Sequence, residues 1–245
     1  MLTKNQIKLI KSLQIKKNRY HLSQFIIEGE KMVEELLLSK MSINKIFGTK
    51  KWIDKNSSKL SFTEFNVVTE SELAMISNLT NPNNVLALVN INLPKFNYND
   101  LNRITLILDE INDPGNLGTI IRLCDWFNVS NIICSKNSVD VFNSKVVQSS
   151  MGSLFRVNIF YKDLISFFND CPYNRPIYGT FLSGINIKDV VIEKDSFIIM
   201  GNEANGISRS IELLVDERLT INNIGGKAES LNIASAASIL LYQFS

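Results

Sequence analysis

From residue 104 onward the chain repeats one pattern: a short apolar run, a turn, then a helix-like segment. Residues 104–109, ITLILD, open it with a nearly unbroken apolar run, the composition of a strand covered on both faces. A helix is expected over 116–127 and a strand over 131–135. Further strands are expected at 157–161, 177–182, 197–201 and, more weakly, 219–221, separated by helices near 143–149, 162–169, 208–215 and 230–243. A helix between two strands returns the chain to the end where the first strand began, so successive strands run the same way. This half of the sequence is therefore restricted to a mainly parallel α/β sheet. Ligands of open parallel sheets sit beyond the carboxyl ends of the strands, so the turns there are the place to look for chemistry.

The first part reads as a separate, smaller α/β unit. Residues 3–17 carry a helical pattern, with Lys4, Lys8 and Lys11 on one face and Ile7, Ile10 and Leu13 on another. A second helix is expected from Gly29 through Met32, Val33, Leu36 and Leu37. Strand-like runs follow at 43–47, 65–68 and 85–91, with a helix from Ser71 behind the cap-like Thr69-Glu70-Ser71-Glu72. The stretch NLPKFNYNDLNR, 92–103, is polar, holds a proline and lacks periodicity. These features divide the chain into a domain at 1–95, a linker at 96–103 and a domain at 104–245.

Formal net charge is only +2, but it is unevenly spread: residues 1–95 hold 14 Lys/Arg against 8 Asp/Glu, and residues 96–245 hold 12 against 16. A basic first part fits a polyanionic partner or a solvated lysine-rich face, and charge alone leaves both open. The one histidine, His21, nearly excludes a catalytic triad or a multi-histidine zinc site, so no metal is expected. Cys124, Cys134 and Cys171 lie in apolar stretches without metal or CxxC spacing, which fits free thiols in a reducing cytosol. No run reaches the roughly 18 apolar residues of a membrane span, and the N-terminus lacks a signal-peptide pattern. A cytoplasmic protein with no membrane partner is expected.

Three glycine-bearing turns fall at expected strand ends. In DEINDPGNLGTIIRLCDWF, 109–127, Asn116 can cap a helix, Gly115 and Gly118 permit close approach of backbone, and Arg122 stands alone among apolar residues. By itself such a turn suits an anion site or any tight strand–helix connection, and Arg122 suits a buried pair with an aspartate. In FIIMGNEANGIS, 197–208, Glu203 is placed to pair with Arg122 across neighbouring strand tips. In GGKAESLNIASAASILLYQF, 225–244, a flexible Gly225-Gly226 loop leads to a helix that Ser230 or Asn232 can cap. That helix is dense in small residues, which allow a second subunit or a loop to approach closely.

Together these segments resemble the three motifs of the SpoU (TrmH) family of RNA ribose 2′-O-methyltransferases. DPGNLGTIIR is similar to the first, IIMGNEANGIS to the second and ESLNIASAASILLY to the third. QSSMGSLFRV, 148–157, is similar to a further segment of the family, and KKNRYHLSQFIIEGEKMVEEL looks like its substrate-binding extension. The resemblance implies a small ribosomal-protein-like α/β RNA-binding domain followed by a SPOUT α/β domain, with a parallel sheet and a trefoil knot. Topology rules disfavour knots, so the knot rests on the resemblance alone. It also implies S-adenosylmethionine as cofactor, a homodimer packed around the knot, and RNA as partner, ribosomal RNA before transfer RNA.

By position, the resemblance assigns cofactor contacts to Thr180, Phe181, Leu182, Gly201, Asn202, Glu203, Asn222, Ile224 and Leu231. Catalytic roles fall to Arg122, Asn116, Glu203, Ser230 and Asn232, with Glu203 holding Arg122. Lys4, Lys8, Lys11, Lys16, Lys17 and Arg19 would meet RNA phosphates, and Tyr20 and Phe25 are candidates to stack on bases or to pack in the core. Two departures stand out: Asn222-Asn223 replaces the family's Ile-Pro pair, and Gln148 stands where some members have arginine. The resemblance would also allow Arg122 the role of a general base. A guanidinium stays protonated, with a pKa above about 12, so a role in binding phosphate and stabilising the developing alkoxide is the physical expectation. Two other classes remain: a catalytically silent RNA-binding assembly factor, and a doubly wound nucleotide enzyme, for which neither GxGxxG nor GK[ST] is present.

Overall fold

The computed structural model describes residues 1–61, 63–101 and 103–244. Contacts divide it into two compact units, Met1–Leu93 with Phe142–Phe155, and Pro94–Val141 with Arg156–Ser245.

In the first unit the elements are α1 (Lys4–Ser12), α2 (Lys16–Leu22), β1 (Gln24–Glu28), α3 (Glu30–Leu38), β2 (Ile43–Gly48), α4 (Lys50–Asn56), β3 (Phe65–Val67), α5 (Glu70–Ile76) and β4 (Val85–Asn90). The sheet order is β1-β4-β2-β3. β4 runs antiparallel to β1 and β2, and β3 parallel to β2. Thr3 and Gln6 form a capping box on α1, and Thr69 and Glu72 form one on α5, as the Thr69-to-Glu72 pattern predicts.

The single helix expected over 3–17 is two helices. The chain turns between them, and Arg19 Nη1 donates to the carbonyls of Leu13 and Gln14 at 2.8 and 2.9 Å. Arg19 is only 3 % exposed. Its guanidinium satisfies carbonyls left free at the end of α1, which corrects its expected place among the RNA-facing cations. Phe25 is likewise buried and packs on Phe142 at 4.6 Å between ring centroids, so it is a core residue and not a stacking platform.

Glu28 closes β1 with a buried carboxylate that accepts from the Ser77 hydroxyl and the Asn78 N–H. Burial raises its pKa above the ordinary value, and those two hydrogen bonds oppose the shift. The folded state thus holds this proton to higher pH than the unfolded chain. Its stabilising contribution is full below the unfolded value and is lost as pH rises through the folded one. Glu28→Gln, which cannot ionise, is expected to gain stability over the parent as pH rises from about 4 to 7. Urea midpoints measured across that range check it; a parent that gains on the variant would contradict it.

The second half contributes β5 (Thr105–Leu108), α6 (Pro114–Trp126), β6 (Asn131–Ser135), α7 (Ser144–Ser150), β7 (Asn158–Lys162), α8 (Leu164–Asn169), β8 (Ile177–Asn186), β9 (Phe197–Met200), α9 (Arg209–Glu212), β10 (Glu217–Thr220) and α10 (Ile233–Gln243). Of these, α7 packs in the first unit, on β1. The six strands of the second unit are all parallel, in the order β10-β8-β9-β5-β6-β7. β5, β6 and β9 are buried along their whole length, as their unbroken apolar runs require.

The chain leaves β5 toward β6 and leaves β9 toward β10, on the opposite side. β5 and β9 are neighbours, so the sheet's switch point opens between their carboxyl ends. Along β8 the ladder to β10 breaks: Arg218 pairs with Gly179 and Leu219 with Ile185, so residues 180–184 leave the ladder as an excursion. α10 returns from the sheet edge to pack on α6.

Candidate active site

The tip of β5 is rigidly built. Asp109 is buried, and its Oδ2 accepts from Ser208 N–H at 2.8 Å, tying the segment after β9 to β5. Glu110 takes a left-handed conformation, φ 58°. Its N–H donates to Ser135 Oγ at 2.8 Å, and its carbonyl accepts from Asn202 Nδ2 at 2.7 Å. The Asn202 carboxamide also closes its own loop, because Oδ1 accepts from the N–H groups of Ala204 and Asn205 at 2.9 and 3.1 Å. Asn202 and Gly206 exchange two backbone hydrogen bonds of 2.9 Å. A Cβ on Gly201 would lie 2.1 Å from both Gly206 C and Ile207 N, so only glycine fits there.

Asp113, not Asn116, caps α6: its Oδ1 accepts from Asn116 N–H at 2.8 Å, and Pro114 stands in the first turn. An aspartate followed directly by proline is the sequence signal for this start. Relieved of capping, the Asn116 side chain joins the three motifs. Its Nδ2 donates to Glu203 Oε1 at 2.9 Å, and its Oδ1 accepts from Asn232 Nδ2 at 2.9 Å. Asn232 caps α10, accepting from Ala234 and Ser235 N–H. Each amide orientation follows from the last: Asn232 Oδ1 serves the helix, so its NH₂ faces Asn116, whose NH₂ then faces Glu203.

Arg122 does not join this junction. It is exposed and, among the described residues, makes no ion pair, which corrects the expected Glu203–Arg122 pair. The reason is helical geometry. Six residues beyond Asn116 is about 9 Å along the axis and about 120° away in direction. Ser230 is also exposed and outside the hydrogen-bonded set.

The residues assigned to the cofactor lie at this same end of the sheet. Thr180 Oγ1 donates to the Ile199 carbonyl at 3.1 Å, pinning the start of the 180–184 excursion to β9. The Phe181 ring lies under the Arg218 guanidinium at 3.7 Å and packs into the apolar cluster, so its side chain serves the fold. Leu182, in the β8 excursion, is 80 % exposed, and Ile224 and Leu231, in the segment after β10, are 93 % and 50 % exposed. Exposed apolar side chains on these two segments, and the Glu203 carboxylate held by Asn116, supply the two kinds of group that a ligand with an aromatic heterocycle and a cationic centre needs, as S-adenosylmethionine has. Asn222 is exposed without a side-chain hydrogen bond among the described residues, whereas Asn223 makes three. Among the described residues no group of three or more His, Cys, Asp or Glu side chains could hold a metal ion, and no helix is long and apolar enough to cross a membrane.

Residues 103–242 match the model of the SpoU rRNA Methylase family, and residues 4–87 that of the MRM3-like substrate binding domain. The class is therefore an RNA methylase with a substrate-binding domain ahead of it. The chain is 31 % identical to the 23S rRNA (guanosine(2553)-2′-O)-methyltransferase RlmP of Bacillus subtilis, over 98 % of this chain and 96 % of that protein. A TrmH-family protein from Porphyromonas gingivalis superposes with a TM-score of 0.87 at 33 % identity, covering 100 % and 98 % of the two chains. The AdoMet-bound rRNA methyltransferase from Sinorhizobium meliloti gives a TM-score of 0.85 at 26 % identity, covering 99 % and 95 %. The chain belongs to the SpoU rRNA methylase family.

Proposed function

We propose that this protein transfers a methyl group from S-adenosylmethionine to a ribose 2′-hydroxyl of ribosomal RNA, and that Asn116, Glu203 and Asn232 form the wall of its active site. The observation that carries this reading is the hydrogen-bonded meeting of the three motifs at the switch point of the sheet. Likeness over both units to an enzyme of large-subunit ribosomal RNA favours that RNA over transfer RNA.

When bound, the cofactor supplies an electrophilic methyl beside a sulfonium. The protein's own work is placement. Gly201, Asn202 and the 180–184 excursion shape one wall, and Leu182, Ile224 and Leu231 cover the apolar part. Asn116, held in one orientation from both sides, positions the ribose. Rigid alignment of this kind accounts for a large share of the acceleration in such reactions. Arg122 binds the target phosphate through its guanidinium and stabilises charge developing on the 2′-oxygen; the proton leaves by phosphate or water.

The protein works as a homodimer, its knotted segment at the contact. α6 and α10 pack together, and Trp126, Ile239 and Tyr242 on these helices are exposed, apolar surface of the kind that a second copy would cover. Arg122, directed away from its own Glu203, then serves the neighbouring copy's pocket. Lys4, Lys8, Lys11, Lys16 and Lys17 are all exposed on α1 and α2 and carry the RNA backbone. The protein acts in the cytoplasm.

The deciding experiment uses purified protein, labelled S-adenosylmethionine and unmodified total RNA, with ribosomal and transfer RNA separated before alkaline digestion. Label in alkali-resistant dinucleotides of ribosomal RNA is expected. Label in transfer RNA alone would overturn the substrate, and cofactor binding with no label in any RNA would favour a silent binding factor. In the same assay format, Lys8→Ala/Lys11→Ala is expected to lower RNA affinity and to reduce the slope of log affinity against log salt by about 1 for each lysine.

A further inference from the structure

We propose that Asn223 is a positioning residue that sets the shape of the loop between β10 and α10. The proposal rests on the reading that this loop holds S-adenosylmethionine. Between Thr220, the last residue of β10, and Asn232, the cap of α10, there is no helix or strand. Every residue from Asn222 to Asn232 is exposed, so no apolar burial holds the segment. Among the described residues, one carboxamide makes the hydrogen bonds that close it. Asn223 Oδ1 accepts from Gly226 N–H at 2.7 Å, and its Nδ2 donates to the carbonyls of Gly226 and Ala228 at 3.0 and 3.1 Å. Gly225, at φ +92°, provides the reversal that brings these groups round to it.

The result is a closed ring over residues 223–228, fixed at one end to β10. At the other end Asn232 is tied to Asn116. Ile224 lies inside the ring and Leu231 just beyond it, so the ring sets where these two uncovered apolar side chains stand. Only a carboxamide on this stem can do it. Aspartate keeps an acceptor for Gly226 N–H but loses both donors and sets a charge against two carbonyls. Glutamine is one methylene too long, and alanine has neither group. A loop ordered before the ligand arrives spares the ligand that ordering cost.

The test compares Asn223→Ala and Asn223→Asp with Lys194→Ala, an exposed position outside this loop. Two readings are taken: backbone amide exchange at Gly226 without cofactor, and S-adenosylmethionine affinity by calorimetry together with KM and kcat. Both Asn223 variants are expected to exchange Gly226 faster and to raise Kd and KM for the cofactor about tenfold or more. kcat at saturating cofactor and the thermal midpoint should stay near the parent's, and Lys194→Ala should resemble the parent throughout. Unchanged exchange at Gly226, or cofactor affinity within twofold of the parent, would overturn the role of Asn223. If the parent itself binds no S-adenosylmethionine, the cofactor reading falls instead, and Gly226 exchange still decides whether Asn223 orders the loop.

Discussion

Arg122→Ala is expected to lower methyl transfer to RNA by about a hundredfold to a thousandfold, the loss typical of removing one group that stabilises charge in the transition state. The side chain is exposed and makes no ion pair among the described residues, so its removal leaves nothing buried without a partner. Folding stability and S-adenosylmethionine affinity should be unchanged, and single-turnover transfer from labelled cofactor reads the loss directly. Arg122→Lys keeps the charge but not the planar fork that grips a phosphate with two hydrogen bonds. It should recover only a small part of the rate. Near-parental activity in the lysine variant would remove the bidentate part of the mechanism.

Gly201→Ala is expected to abolish cofactor binding while damaging the fold less. Its new methyl would meet Gly206 C and Ile207 N at 2.1 Å and the Gly206 carbonyl at 2.4 Å, all backbone atoms that no rotamer change can move. The loop carrying Asn202 and Glu203 would have to open. That breaks the paired Asn202–Gly206 bonds and moves Glu203 off Asn116. Overpacking of this kind costs about 1–3 kcal/mol, or several degrees in thermal midpoint for a chain of this size. Calorimetry should find no S-adenosylmethionine binding in a variant that still unfolds cooperatively. Retained affinity would mean that the 201–206 loop lies outside the cofactor site.

These two variants together test the dimer. If Arg122 serves the neighbouring pocket, a mixed dimer of Arg122→Ala and Gly201→Ala copies has one complete site, made of an intact pocket and an intact arginine. Co-expressed copies should then regain activity that neither variant has alone. No recovery would place Arg122 in its own subunit's site.

How far the site was legible varies residue by residue. The cap-like pattern at Thr69–Glu72 marked the start of α5 to within one residue because both partners of its capping box lie within one turn, and Asp113 followed by Pro114 carries the same kind of local signal for the start of α6. Unbroken apolar runs foretold β5, β6 and β9, because burial on both faces writes itself into composition. β1 and α4 were not foreseen. β1 holds its place by pairing with β4, about sixty residues away in sequence, which no local pattern records.

By itself, then, the sequence determined the parallel α/β class of the second unit, the three motifs and, through their resemblance, the family. These depend on residue type and on spacing along one stretch of chain. Only the tertiary structure decided that Asn116 meets Glu203, 87 residues on, and Asn232, 116 residues on. It also turned Arg122 away from Glu203, committed Arg19 to helix carbonyls and packed α7 in the first unit. Such pairings follow from strand order and helix phase, which set direction in space and leave no periodic trace in the chain.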